Sequence, residues 1–124
     1  MAAIAEIKSR LTGGELPALV NNAASAPKAA DGKRPGPLQT ETESLAHVFR
    51  VNVFAPIMLA RGLIDELKAA KGSVVNVTSI AGSRVHPFAG AAYATSKAAL
   101  ASLTREMASD FGRLGIRVNA IAPG

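Results

Sequence analysis

The sequence of 124 residues contains no cysteine and no tryptophan, and Tyr93 is its only tyrosine. Without cysteine, disulfide bonds cannot hold the fold together, and nothing indicates an oxidising compartment. The longest apolar run, residues 53–60, is far shorter than the roughly 20 residues of a membrane-spanning helix. Glu6, Lys8 and Arg10 interrupt any apolar segment of a signal peptide near the start. We therefore expect a soluble, cytoplasmic protein with no membrane partner.

Acidic residues are fewer than basic ones, nine against fourteen, which gives a net charge of +5. Clustered lysine and arginine would indicate an anionic partner such as nucleic acid. Here the basic residues are dispersed, and no aromatic side chains are interleaved with them as base-stacking platforms. The two isolated histidines, His47 and His86, do not make a metal site. The sequence therefore predicts neither a nucleic-acid partner nor a bound metal.

Apolar periodicity and turn residues predict alternating helices and strands. The predicted elements are a helix over 2–12, a strand over 17–23, a helix from near 41 to 67, a strand over 73–78, a helix over 92–111 and a strand over 116–121. This order is that of crossovers that build a parallel sheet with helices on its faces. We predict an α/β fold, three strands of a doubly wound, Rossmann-like sheet. Because parallel strands need neighbours at both edges, the sheet is expected to be part of a larger domain.

Local motifs surround the second predicted helix. Thr40 and Glu43 have the spacing of a capping box at its start, and Gly72 follows its end. The preceding loop, residues 25–40, is rich in proline and glycine and predicts a mobile surface segment or a lid.

Tyr93 and Lys97 stand four residues apart near the start of the third predicted helix, where side chains at i and i+4 share one face. A phenol is a weak acid at neutral pH, but a cation within about 4–6 Å favours the phenolate and lowers its pKa. Lys97 can supply that cation. Ser79 closes the second predicted strand and precedes Tyr93 by 14 residues, so its hydroxyl can lie beside the phenol. Taken alone, the Tyr–Lys pair also fits an accidental spacing on a solvated helix.

Polar motifs end all three predicted strands, at the edge where parallel sheets bind ligands. They are residues 19–24 (LVNNAA), 76–82 (NVTSIAG) and 119–124 (NAIAPG). Together with residues 93–97 (YATSK), they resemble the motifs of the short-chain dehydrogenase/reductase superfamily, in its classical branch, over essentially all 124 residues. The resemblance implies an oxidoreductase that transfers hydride between NAD or NADP and a small carbonyl or alcohol substrate.

The resemblance also implies residue roles. The implied catalytic residues are Asn52, Ser79, Tyr93 and Lys97. The implied cofactor-binding residues are Asn22, Ala23, Tyr93, Lys97, Pro123 and Gly124. Tyr93 would act as general acid/base, Ser79 would hydrogen-bond the reacting oxygen, and Lys97 would hold the nicotinamide ribose.

Pro56 lies four residues after Asn52 within the second predicted helix. Because proline has no N–H, the Asn52 carbonyl should lose its usual donor, and the helix should kink there. The resemblance implies that Asn52 helps hold a water molecule in a proton relay that reaches Lys97. A freed main-chain carbonyl can bind that water. A kink that only fits the helix to the sheet is the alternative.

The chain departs from the family pattern at several places. It lacks the glycine-rich phosphate turn, the residue that selects NAD or NADP, and the substrate lid beyond Gly124, so we predict a partial dinucleotide-binding and catalytic domain over 1–124. Ala24 stands in place of the usual glycine. His86 and Phe88 line the substrate pocket or lie on the surface.

Two interpretations of function follow. The chain is the catalytic part of an active enzyme, or it is a truncated, inactive relative that serves as an interaction or structural remnant. We expect no dehydrogenase activity from the isolated chain, because half of the cofactor contacts are missing. The resemblance further implies a homodimer or homotetramer that forms through the helices, with the alanine- and serine-rich helix 92–111 a candidate interface.

Overall fold

The computed structural model describes residues 2–124, which form five α-helices and one sheet of three strands. In chain order the elements are α1 (Ala2–Arg10), β1 (Ala18–Asn21), α2 (Thr42–Phe49), α3 (Ala55–Gly62), α4 (Ile64–Ala70), β2 (Ser73–Val77), α5 (Ala91–Gly112) and β3 (Arg117–Ile121). Short 3₁₀ turns cover Thr12–Gly14 and Ile80–Gly82, and a π-helical turn, Arg50–Phe54, joins α2 to α3. The predicted order of helices and strands is confirmed, and the predicted ends lie within a few residues of the observed ones.

The three strands are parallel, as predicted, and they lie in the order β1-β2-β3. Leu19 pairs with Val74 and Val74 with Val118, so these side chains share one face of the sheet. The helices cover this face, where Val74 is fully buried and Val118 is 7% exposed. On the other face, Val20 and Ile121 are 59% and 55% exposed. Within residues 2–124 the predicted flanking helices therefore lie on one face only.

The hydrophobic core lies between the helices and the covered face of the sheet. Its buried members are Ala60, Leu63, Leu67, Val74, Met107, Ile116 and Val118. Ile4 and Ile7, three residues apart on one side of α1, pack against its edge. Removal of these side chains from water is the main force that holds the helices to the sheet.

The long helix predicted from 41 to 67 is divided. At the π turn the Ala55 N–H donates to the Arg50 carbonyl, five residues back, and Pro56 falls in the first turn of α3. Pro56 has no N–H to donate to the Asn52 carbonyl, and the wider π turn before it lets the chain stay helical around the proline. The π turn thus accommodates Pro56, and the sharp bend, 64°, lies at Leu63 instead of the predicted kink near Asn52.

None of the helices described is by itself long and apolar enough to span a membrane. The segments Thr42–Gly62 and Ile64–Ala70 meet the length and composition requirement only when taken together across their bend.

The predicted capping box at the start of α2 does not form. The residue before the helix is Glu41, which makes no side-chain cap. The Thr40 hydroxyl instead donates to the Gly36 carbonyl at 2.7 Å, and so closes a turn of the preceding loop. A short hydroxyl side chain bonds whichever main-chain group is nearest, and here that group is not the predicted one.

Helix α4 ends at Ala70, just before Gly72, the residue predicted to end this helical segment. Lys71 adopts the left-handed conformation, with φ of 47°, and the Gly72 N–H donates to the Leu67 carbonyl at 2.8 Å. A Cβ atom on Gly72 would lie 2.5 Å from the Leu16 carbonyl oxygen. Glycine is required here because the helix end and the chain before β1 approach closely.

Candidate active site

The carboxyl ends of the strands open on a cleft of about 360 Å³. This volume is in the range of sites for small ligands, and ligands bind at this edge of parallel sheets. The lining is formed by alternate residues of 22–28, by residues 77–81, by His86, Phe88 and Ala89, by Tyr93 and Lys97 of α5, and by Pro123 and Gly124. Within residues 2–124, no three histidine or acidic side chains come together as a group that could hold a metal ion.

The cleft brings together most of the predicted site residues. Those that line it are Asn22, Ser79, Tyr93, Lys97, Pro123 and Gly124. Ala23 is exposed and lies outside the lining. Every second residue from 22 to 28 faces the cleft, which is the spacing of an extended chain, so Ala23 faces away.

Tyr93 and Lys97 lie side by side on the first two turns of α5. The Lys97 ammonium is 5.6 Å from the centroid of the Tyr93 ring, within the range of a cation–π contact. The same ammonium donates to the Val77 carbonyl at 2.7 Å, and Lys97 is only 2% exposed. Burial lowers the pKa of Lys97 from its usual value of 10.5, because loss of water disfavours the charged form. The last carbonyl of β2 therefore holds the lysine beside the tyrosine.

Ser79 follows β2 and precedes the 3₁₀ turn Ile80–Gly82. Its hydroxyl accepts a hydrogen bond from the Ala81 N–H at 3.1 Å, which fixes the oxygen at the cleft wall. A hydroxyl that accepts this bond keeps its own proton to donate. Gly82 lets the turn pack directly on α5, since an added Cβ would lie 2.8 Å from the Ala98 nitrogen.

Asn52 is buried in the π turn and does not line the cleft. Its side-chain oxygen accepts from the Ser25 N–H at 2.8 Å, and its amide nitrogen donates to the Ser25 carbonyl and the Ser96 hydroxyl, each at 3.0 Å. Ser96 in turn donates to the Tyr93 carbonyl at 2.7 Å. The amide thus joins the loop after β1 to the helix that carries Tyr93. Sequence reasoning missed this side-chain role, and the water relay at the Asn52 carbonyl stays a prediction.

Loop 25–40, predicted as a mobile segment or lid, is bound to the opposite loop and to α5. The Lys28 ammonium donates to the Phe88 carbonyl, and the Ala91 N–H donates to the Pro35 carbonyl at 2.9 Å. Phe88 and His86 line the cleft, and Phe88 is also 72% exposed, so it lies both at the cleft and on the surface. These contacts favour a packed wall of the cleft over a mobile segment. Lys28 was not singled out from the sequence, because residues 22–28 (NAASAPK) have no polar alternation that would mark it.

A buried polar chain lies behind the cleft. The Asn21 amide donates to the Asn76 side-chain oxygen at 2.8 Å, and the Asn76 amide donates to the Thr104 hydroxyl at 3.0 Å. Thr104 donates onward to the Leu100 carbonyl at 2.7 Å. Asn76 is fully buried, so its amide needs these partners. These hydrogen bonds run from β1 through β2 to α5 and therefore set the positions of the strand ends relative to α5.

Known proteins share both the sequence and the fold of this chain. A protein-family model described as enoyl-(acyl carrier protein) reductase matches residues 1–124. The protein FixR of Bradyrhizobium diazoefficiens is 66% identical over 122 residues, which are 98% of this chain and 44% of FixR. An oxidoreductase of the short-chain dehydrogenase/reductase family from Brucella ovis, crystallised with partially ordered NAD, is 70% identical with a TM-score of 0.97. The match covers 99% of this chain and 56% of that one.

A more distant structure has the same fold. The 3-oxoacyl-[acyl-carrier protein] reductase of Brucella melitensis, with bound NAD, is 32% identical with a TM-score of 0.88, over 99% of this chain and 46% of that one. The chain therefore belongs to the short-chain dehydrogenase/reductase superfamily of oxidoreductases, as its motifs predicted. It spans about half the length of the proteins it matches.

Proposed function

We propose that the cleft is the catalytic site of an NAD(P)-dependent oxidoreductase acting on a carbonyl or alcohol substrate. In this proposal residues 1–124 form the catalytic part of its dinucleotide-binding domain. The observation that carries the proposal is the convergence of Ser79, Tyr93 and Lys97 on one cleft at the carboxyl ends of parallel strands. Two related structures with the same fold hold NAD, which supports a nicotinamide cofactor here.

The residues of the cleft suit a nicotinamide nucleotide, NAD or NADP. The Lys97 ammonium uses one N–H bond on the Val77 carbonyl and keeps two for ribose hydroxyls. The Asn22 amide and the main chain of Pro123 and Gly124 line the same cleft and would complete the contacts. When bound, the nicotinamide supplies or accepts hydride at the substrate carbon.

Three side chains would bind the substrate oxygen or take part in its protonation. The Tyr93 phenol donates its proton to the oxygen when a carbonyl is reduced, and takes it back when an alcohol is oxidised. The Lys97 ammonium lies 5.6 Å from the ring centroid, so its charge is next to the phenol that donates and takes back the proton. The Ser79 hydroxyl donates to the same oxygen and stabilises the negative charge that develops there.

Asn52 acts from outside the cleft in this proposal. Its bonds to Ser25 and Ser96 hold the cleft loop against the helix of Tyr93. We include the water relay expected at its main-chain carbonyl, which would resupply protons to Lys97. Ala23 is not included, because it faces away from the cleft.

The helical surface beside the site suits a second copy of the protein. Leu45, Phe54 and Met58, on α2, the π turn and α3, are 40–50% exposed, and Ala98 and Ser102 give α5 a surface of small residues. Apolar and small side chains on neighbouring helices allow close packing, so we propose a homodimer or homotetramer. We also propose a cytoplasmic location, because the sequence has no cysteine and nothing in it indicates an oxidising compartment.

The test is turnover of reduced nicotinamide by the full-length protein with a panel of ketones and aldehydes. Tyr93→Phe should lower kcat by about a hundredfold or more, because the general acid is lost, while NADH affinity stays within about twofold. Thr95→Ala, exposed on the same helix, is the matched control and should keep full activity. Unchanged turnover in Tyr93→Phe would refute the role. Absence of both turnover and NADH binding in the wild-type protein would favour the inactive relative.

A further inference from the structure

The cleft is lined by one ammonium group and one imidazole that the proposed chemistry does not use. Lys28 and His86 line it in addition to Lys97, whereas no aspartate or glutamate among residues 2–124 does. Lys97 is assigned to Tyr93 and the cofactor in the proposed function, and it also donates to the Val77 carbonyl. A cleft lined by charge of one sign raises the local concentration of ligands of the opposite sign.

The Lys28 side chain is held at the cleft by the opposite loop. Its ammonium donates one hydrogen bond to the Phe88 carbonyl, which leaves two N–H groups for another acceptor. None of the ion pairs found among residues 2–124 involves Lys28. Glu41 lines the neighbouring cavity of about 180 Å³, which Lys28 and Tyr93 also border, but it does not line the cleft.

His86 supplies a second donor from the opposite loop. Its Nδ1 accepts the Phe88 N–H at 3.2 Å, so the neutral ring carries its proton on Nε2. The His86 and Phe88 rings lie 5.9 Å apart, which restricts the orientation of the imidazole. The two loops that form the wall of the cleft therefore each present an N–H donor near Ser79 and Tyr93.

From this arrangement we propose that the substrate is a keto acid or hydroxy acid. Its carboxylate binds Lys28 and His86 while its carbonyl or alcohol group lies at Ser79 and Tyr93. The inference rests on the proposed function for its chemistry, but the anion site itself is a property of the two loops. A carboxylate suits a site with one ammonium and one imidazole, since charged groups strengthen each hydrogen bond.

Binding is tested first, without turnover. Levulinate and its uncharged methyl ester are titrated into the isotope-labelled chain, and amide chemical shifts in loops 25–40 and 83–90 are followed. We expect shifts with the acid and none with the ester, and their loss in Lys28→Met. Lys33→Met is the matched control, because Lys33 lies on the same loop outside both cavities. Shifts that survive in Lys28→Met, or equal shifts with acid and ester, would overturn the proposal.

Turnover separates this proposal from the proposed function. With the full-length protein and NAD(P)H, Lys28→Met should lower kcat/KM for acetoacetate and levulinate about tenfold and leave their methyl esters unchanged. Lys28→Arg should restore most of the loss, since it keeps the charge. Equal losses on acid and ester would show that Lys28 only joins the loops or contacts the cofactor, and would overturn the inference alone. If neither substrate type is turned over and NADH does not bind, the proposed function fails, and the titration still decides the anion site.

Discussion

Lys97→Met should stabilise the chain near neutral pH, although it removes a residue of the proposed catalytic site. The substitution deletes a positive charge from a side chain that is 2% exposed, and methionine fills a similar volume without needing a partner. The charged bond to the Val77 carbonyl, about 1.5–3 kcal/mol, and the contact with the Tyr93 ring, about 0.5–1 kcal/mol, are lost. A buried ion carries a penalty of several kcal/mol, so we expect a net gain of about 1 kcal/mol.

The pH dependence gives the sign of this effect. Burial lowers the pKa of Lys97 in the folded protein below 10.5, the value expected in the unfolded chain. Between the folded-state pKa and 10.5, the unfolded chain therefore binds more protons than the folded chain. Stability of the wild-type chain therefore rises with pH through that window, and the full penalty is present below the folded-state pKa. Lys97→Met has no such group, so its advantage should shrink as the pH approaches about 10.5.

Urea unfolding followed by circular dichroism, from about pH 7 to about pH 10, measures the difference between the two proteins. Lys33→Met, at an exposed lysine, is the control and should change stability by less than about 0.5 kcal/mol. A loss of stability in Lys97→Met that does not vary with pH would refute the reasoning. It would show that the bond to Val77 outweighs the burial of the charge.

Three further substitutions test the packing behind the site by urea or thermal unfolding. Asn76→Ala should lower the free energy of unfolding by about 3 kcal/mol, because it deletes two hydrogen bonds and leaves their buried partners unpaired. Its control is Asn119→Ala, at an exposed position, which should change the free energy of unfolding by less than about 0.5 kcal/mol. Gly72→Ala should destabilise the protein by about 1–3 kcal/mol, since the added Cβ would lie 2.5 Å from the Leu16 carbonyl oxygen. Gly112→Ala is the control and should raise the thermal midpoint, because the added Cβ would have no neighbouring atom within 4 Å. Leu67→Ala removes a fully buried side chain and should lower stability by about 2–5 kcal/mol; a loss under about 1 kcal/mol would contradict the packing of α4 on the sheet.

Local patterns predicted the elements and the composition of the cleft edge. Apolar period and turn residues act over a few neighbours, so the alternation of helices and strands could be predicted before any contact was known. The parallel order then placed Asn22 and Ser79 at one edge of the sheet. Tyr93 and Lys97 are one helical turn apart, and the helix alone brings them to the same face.

Local rules failed where a group had several partners within reach. Thr40 has the spacing of a helix cap, but its hydroxyl bonds the Gly36 carbonyl, and the pattern alone does not distinguish these acceptors. Pro56 predicts a disturbed helix, but whether the chain breaks or widens depends on how α2 and α3 pack. Here it widens into a π turn that carries Asn52.

By itself, the sequence determined which segments become helices and strands, and which polar residues reach the carboxyl edge of the sheet. Only the tertiary structure decided that Lys97 bonds the Val77 carbonyl and that Lys28 bonds the carbonyl of Phe88. These partners are 20 and 60 positions apart, and the Asn52 amide reaches Ser96 across 44. Contacts between residues so far apart in the sequence depend on how strands and helices pack against one another. No local pattern encodes them, because each partner is placed by a different element of the fold.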